Sequence, residues 1–79
     1  MNIIIKLIDG KKHSLDVNDN ITVLLLKYII YEKFNYHVES QRLIHDGYPL
    51  VDEFILQKSK LSNNVIHLIF QMNNCNNLI

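Results

Sequence analysis

The sequence predicts an α+β fold in which one long helix lies across a mixed sheet, and three observations carry that prediction. Two β-branched alternating runs open the chain, NIIIKLI at residues 2–8 and HSLDV at 13–17, with the turn sequence DGKK between them. Between Asp19 and His37 the apolar period lengthens from two to that of a helix. A last alternating run, VIHLIFQM at 65–72, closes the pattern. With 79 residues there is room for one domain, and the 48% hydrophobic content suffices for one efficient core.

Each element has a local reason. Asp9-Gly10 is a strong hairpin signal, because Gly10 can supply the positive φ that a tight turn between strands requires. Alternation then places Ile3 and Ile5 with Leu15 and Val17 on the core face and leaves Ile4, Lys6 and Ile8 on the other. Thr22 is suited to cap a helix whose buried stripe includes Val23, Leu26 and Ile30, with Lys27 beside it and Glu32 and Lys33 near its end. The helix is expected to stop around Phe34 and Asn35, since Asn tolerates the left-handed conformation that follows a last turn.

QRLIH and YPL read as short strands around Asp46-Gly47, with Pro49 confining the second to an edge. The segment VDEFILQKSKLSNN holds turn residues but too little period for an assigned element. Residues 1–70 are thus expected to form the domain, and the Asn-rich 71–79 a flexible tail. The expected core is Ile3, Ile5, Leu15, Val17, Val23, Leu26, Ile30, Leu43, Leu50, Leu56, Leu61, Ile66 and Leu68.

Composition narrows the function. A formal net charge of zero supplies no global field toward nucleic acid or an acidic membrane surface, so neither is an expected partner. The single cysteine, Cys75, cannot form an internal disulfide, and Lys6 and Asp9 interrupt any N-terminal signal sequence. No stretch has membrane-spanning length, and four residues follow Cys75 where a prenylation box allows three. These features point to an intracellular, reducing location, cytoplasmic or nuclear. Twelve Ile and ten Asn against no Ala and one Arg point to an AT-rich genome, as in some parasites, endosymbionts and large DNA viruses.

No catalytic, metal or cofactor site is expected. His13, His37, His45 and His67 lack ligand spacing and an accompanying cysteine or carboxylate set. His13 occupies a strand position that calls for an apolar residue, so a partly buried imidazole is expected there. Cys75 in an Asn-rich tail has nothing to preorganise it as a nucleophile. Nucleotide-binding glycine loops are absent, as the only glycines are Gly10 and Gly47.

The chain resembles the ubiquitin family. The similarity starts at Met1, Ile3 and Lys6 and continues without a gap through Gly10-Lys11, Leu15, Val17, Lys27, Ile30, Lys33, QRLI at 41–44, Gly47, Leu50, Asp52 and Leu56. After one apparent deletion near Asn63-Asn64, IHLIF resembles the family's last strand. The resemblance implies the ubiquitin-like β-grasp, and it implies that Lys27 on the helix meets Asp52, since a lysine turned toward a core needs a charge partner.

It also implies a protein-binding face. In the family an aliphatic patch centred on the position of Ile44 is read by ubiquitin receptors; its counterparts here are Ile8, His67 and Ile69, with Arg42 and Gly47 alongside. Strand alternation separately turns Ile8, Ile44 and Ile69 away from the core, although a chain this rich in isoleucine would place some there by composition alone. Two departures bear on function. The family's terminal Arg-Gly-Gly, which is activated and transferred, has no counterpart in QMNNCNNLI, and Tyr48 and Asn63 replace chain-linking lysines, although Lys6, Lys11, Lys27 and Lys33 match others.

The expected function is therefore that of a non-enzymatic, non-conjugatable ubiquitin-like module that binds ubiquitin receptors or other ubiquitin-pathway proteins, competing within a host ubiquitin system. The alternative is a structural adaptor held in a complex through the helix face of Leu24, Tyr28 and Tyr31, with Leu25 beside them. A conjugated modifier survives only with a different tail chemistry.

Overall fold

The computed structural model describes residues 1–57 and 61–70. The expected tail at 71–79 lies outside the described residues. The elements are β1 (Asn2–Leu7), β2 (Lys12–Asp16), β3 (Ile21–Thr22), α1 (Val23–Phe34), a 3-10 turn (Val38–Ser40), β4 (Gln41–His45), β5 (Tyr48–Pro49), β6 (Ile55–Leu56) and β7 (Val65–Phe70). Five strands form a sheet in the order β2-β1-β7-β4-β5, and β3 pairs with β6 in a separate ribbon. β1 and β7 run parallel at the centre while the other pairs are antiparallel, so the sheet is mixed. This is the α+β β-grasp, with α1 closing one face of the sheet.

The first hairpin forms where Asp9-Gly10 requires it. Gly10 has φ 95°, its N–H donates to the Leu7 carbonyl, and the Asp9 carboxylate accepts from the Lys11 N–H at 2.9 Å. Register then pairs Ile3 with Leu15 and Ile5 with His13. The ring of His13 is half-buried on the core side, stacked on Phe34 at 4.1 Å between centroids.

α1 carries both expected end signals. Thr22 Oγ1 accepts from the Leu25 N–H at 3.2 Å, and Asn35 adopts φ 64° while its N–H donates to the Tyr31 carbonyl. The first-turn amides of Val23 and Leu24 donate to the carbonyls of Phe54 and Asp52, so the loop before β6 satisfies groups that a helix start leaves open. On the same side Lys27 Nζ lies 2.7 Å from Asp52 Oδ1.

Val23, Leu26 and Ile30 of α1 meet Ile3, Ile5, Leu15, Leu43, Ile66 and Leu68 of the sheet, with Val17 and Leu56 completing most of the expected core. Two expected members differ. Leu50 and Leu61 are only partly buried, packed on the rim of the cluster, because both lie beyond the ends of paired strands. Leu7 and Ile21 are buried instead: Leu7 extends the inward series of β1 opposite Leu68, and Ile21 is paired with Leu56.

Polar side chains also enter the interior. Gln41 Nε2 donates to the carbonyls of Lys27 and Tyr36 at 2.8 and 2.9 Å, tying β4 to α1 and to the segment after it. His45 places Nδ1 3.0 Å from the Val65 carbonyl. Among the described residues, no helix is long and apolar enough to cross a membrane.

Candidate functional site

The site is made by alternation on the two strands that cross the middle of the sheet. In β4, Gln41, Leu43 and His45 turn inward, which leaves Arg42 and Ile44 outward. In β7, Ile66 and Leu68 turn inward, which leaves Val65, His67 and Ile69 on the same outer face. The antiparallel register sets Ile44 opposite His67 and Arg42 opposite Ile69. Four of the six expected binding residues therefore form two adjacent cross-strand pairs on the face opposite α1.

Ile8 and Gly47 frame this set from two turns. The ladder between β1 and β7 ends with Leu7 opposite Leu68, so Ile8 leaves the sheet at the level of Ile69 and is 82% exposed. Gly47 has φ 85° and follows Asp46 at φ 54°, so both central residues of the turn between His45 and Tyr48 have the positive φ of a two-residue hairpin loop. A Cβ on Gly47 would meet nothing within 4 Å. The glycine thus serves the turn, and through it the pairing of Ile44 with Pro49, rather than making room for a neighbour.

The three isoleucines turned away from the core differ in exposure. Ile44 and Ile69 are half-buried, because each lies on a strand flanked on both sides and is partly covered by cross-strand neighbours; Ile8, in a turn, has none. The face is therefore a shallow aliphatic floor with one prominent isoleucine at its edge. Sequence reasoning also missed Pro49, exposed and paired with Ile44, although continued alternation through a two-residue turn was signal enough to place it there; Tyr48, 73% exposed, is paired with the inward His45 and so takes the other face of β5.

The second set lies elsewhere. Leu24, Tyr28 and Tyr31 are exposed along one stripe of α1, with Leu25 next to them, while Val23, Leu26 and Ile30 face the sheet. Because α1 covers the inner face of the sheet, this stripe is on the far side of the molecule from Ile44. Among the described residues there is no group of three or more His, Cys, Asp or Glu placed to hold a metal ion.

The sequence profile of the ubiquitin family matches residues 3–73, which takes in every strand of the sheet, the helix and the whole outer face. The chain belongs to the ubiquitin family. This ubiquitin-family chain is also similar to ubiquitin-like protein 4A of Xenopus tropicalis, with 36% identity over 56 residues. The aligned stretch covers 71% of this chain and 38% of that protein, so the relative is considerably longer than the matched domain. A ubiquitin-like domain is characteristically a protein-interaction module, and among the described residues the outward sheet face and the helix stripe are two surfaces that carry exposed apolar side chains.

Proposed function

We propose that this chain acts as a non-conjugated ubiquitin-like module that binds ubiquitin-receptor or other ubiquitin-pathway proteins through the face of Ile8, Arg42, Ile44, His67 and Ile69, held in shape by Gly47. The observation that carries this reading is the register of β4 and β7, which gathers Arg42, Ile44, His67 and Ile69 into one outward cluster. An aliphatic floor bordered by charged and polar groups is the surface chemistry of a protein-recognition site.

The same reading makes the protein a binder rather than a modifier or an enzyme. Residues 71–79 contain no glycine, and Gly10 and Gly47 are both committed to turns at positive φ. A module that occupies receptors without being transferred would compete inside the cell with a host's own ubiquitin. The test is recovery of partners by wild type, Ile44→Ala and Tyr28→Ala proteins, with a denaturing blot for covalent adducts. Loss with Ile44→Ala alone and no adducts is expected; loss with Tyr28→Ala alone would transfer the function to the helix stripe as an adaptor surface.

A further inference from the structure

We propose that the pocket between the last turn of α1 and the 3-10 turn after it holds an arginine side chain of a partner protein, its guanidinium laid on the rings of Tyr28 and Tyr31 and paired with the Glu39 carboxylate. The pocket is on the side of the molecule away from Ile44. It therefore does not rest on the outer sheet face being a binding surface, and the two can be occupied at once.

The two tyrosines stand three residues apart on α1, which puts them on one stripe, with Tyr28 53% and Tyr31 39% exposed. Asn35, at φ 64°, ends the helix, and His37, Val38 and Glu39 line the other side of the pocket. The space is about 310 Å3, at the small end for a ligand site and open to solvent, which suits one side chain of a larger partner rather than a cofactor.

Three features around it favour a positive charge. The faces of the tyrosine rings attract cations. Tyr31 belongs to the last turn of α1, the negative end of the helix dipole. Glu39 and Glu32, the latter one helical turn after Tyr28, are both exposed, and neither has a cationic group within 4 Å among the described residues. The nearby lysines do not fill this role. Lys27, one turn before Tyr31, is held by Asp52 at 2.7 Å, and Lys33 stands about 160° around the helix axis from Tyr31. The chain's one arginine, Arg42, points out of the opposite face of the sheet, so an arginine here must come from a partner.

Ring geometry distinguishes a guanidinium from an ammonium. The rings of Tyr31 and His37 pack on each other, with centroids 5.2 Å apart and planes inclined at 31°. A cation enclosed between two rings needs them about 7 Å apart, twice a contact distance of about 3.5 Å. These rings therefore cannot close around a methylated ammonium and instead form one platform open from a single side. A planar guanidinium stacks on such a platform while its N–H fork reaches a carboxylate beside it, here Glu39. Lysine has neither the flat face nor the fork. A single side chain on an open pocket binds weakly, so the pocket adds a second contact to a partner held elsewhere rather than recruiting one alone.

Titration of the 15N-labelled full chain with four capped peptides, Gly-Ser-X-Ser-Gly with X arginine, citrulline, lysine or trimethyllysine, tests this at constant ionic strength. The arginine peptide is expected to shift the amides of Tyr28, Tyr31, His37 and Glu39. It should bind about fivefold tighter than the citrulline peptide, which keeps the shape without the charge, and about threefold tighter than either ammonium peptide. Tyr28→Leu should weaken arginine binding about threefold and Tyr28→Phe should not, since only Phe keeps the π face. Glu39→Gln should weaken it about threefold and remove most of its salt dependence. Ile44→Ala should leave it unchanged. Equal binding of arginine and citrulline, an ammonium peptide that binds as tightly as arginine, a Tyr28→Leu protein that binds like wild type, or no shift at those four amides in about 50 mM arginine peptide would each overturn the inference. So would loss of binding with Ile44→Ala, which would move the cation to the outer face.

Discussion

Removing the Asp52 carboxylate should destabilise the fold more than removing the Lys27 ammonium that it holds. The Nζ–Oδ1 distance is 2.7 Å, and the Lys27 side chain is 13% exposed against 44% for Asp52. At that distance Coulomb attraction lies between about 1.5 and 6 kcal/mol for effective dielectric constants of about 80 and 20, before desolvation and side-chain ordering are subtracted. Asp52→Ala leaves a mostly buried ammonium without its partner, for an expected cost of about 1–3 kcal/mol. Lys27→Met keeps the apolar stem and removes the charge, so its cost should be under about 1 kcal/mol. In the Lys27→Met background, Asp52→Ala should then cost almost nothing, because the Asp52 carbonyl still accepts from Leu24 N–H and holds the loop. Urea unfolding of the four proteins in this cycle measures the coupling. Additive losses, or a Lys27→Met protein less stable than Asp52→Ala, would refute the claim that the pair exists chiefly to satisfy a buried lysine.

Further expectations concern the core, the helix start and the tail. Leu43, 1% exposed opposite Leu68, should cost about 2–5 kcal/mol on truncation to Ala, read from the midpoint of urea unfolding. Thr22→Ala should cost about 1 kcal/mol by removing the oxygen that accepts the Leu25 N–H, and Thr22→Ser should recover most of it. Incubated with ubiquitin-activating enzyme and ATP, the chain should form no thioester, and a reducible adduct at residues 71–79 would overturn its assignment as non-conjugated.

What was legible in the sequence is what short-range chemistry determines. Period and caps marked the helix from Thr22 to Asn35, and alternation marked the inward Ile3, Ile5, Leu15, Ile66 and Leu68. β6 was not legible, because two residues have no period and Ile55–Leu56 become a strand only by pairing with Ile21–Thr22. The burial of Gln41 depends on carbonyls of Lys27 and Tyr36, which only the finished fold brings together. For the candidate site, alternation turned Ile8, Ile44 and Ile69 outward, yet it could not say that neighbouring strands half-cover Ile44 and Ile69. The alignment of Lys12, Lys6, His67, Ile44 and Pro49 into one row is a property of four strand registers, one of them between β1 and β7, whose partners are 61 residues apart at every position.

The most direct test of the central claim is the affinity of a ubiquitin-receptor domain for wild type and Ile44→Ala, measured by isothermal titration. Ile44 lies on the outer face, opposite the buried Leu43, so truncating it should leave the fold intact, checked by an unchanged thermal midpoint within a few degrees. A central anchor of a small interface can carry about 2 kcal/mol or more, so the Ile44→Ala complex should be roughly thirtyfold weaker. Arg42→Ala should weaken it less, and more at low salt than at high, as expected for a charge at the rim. A receptor domain that binds wild type and Ile44→Ala with equal affinity would contradict the account.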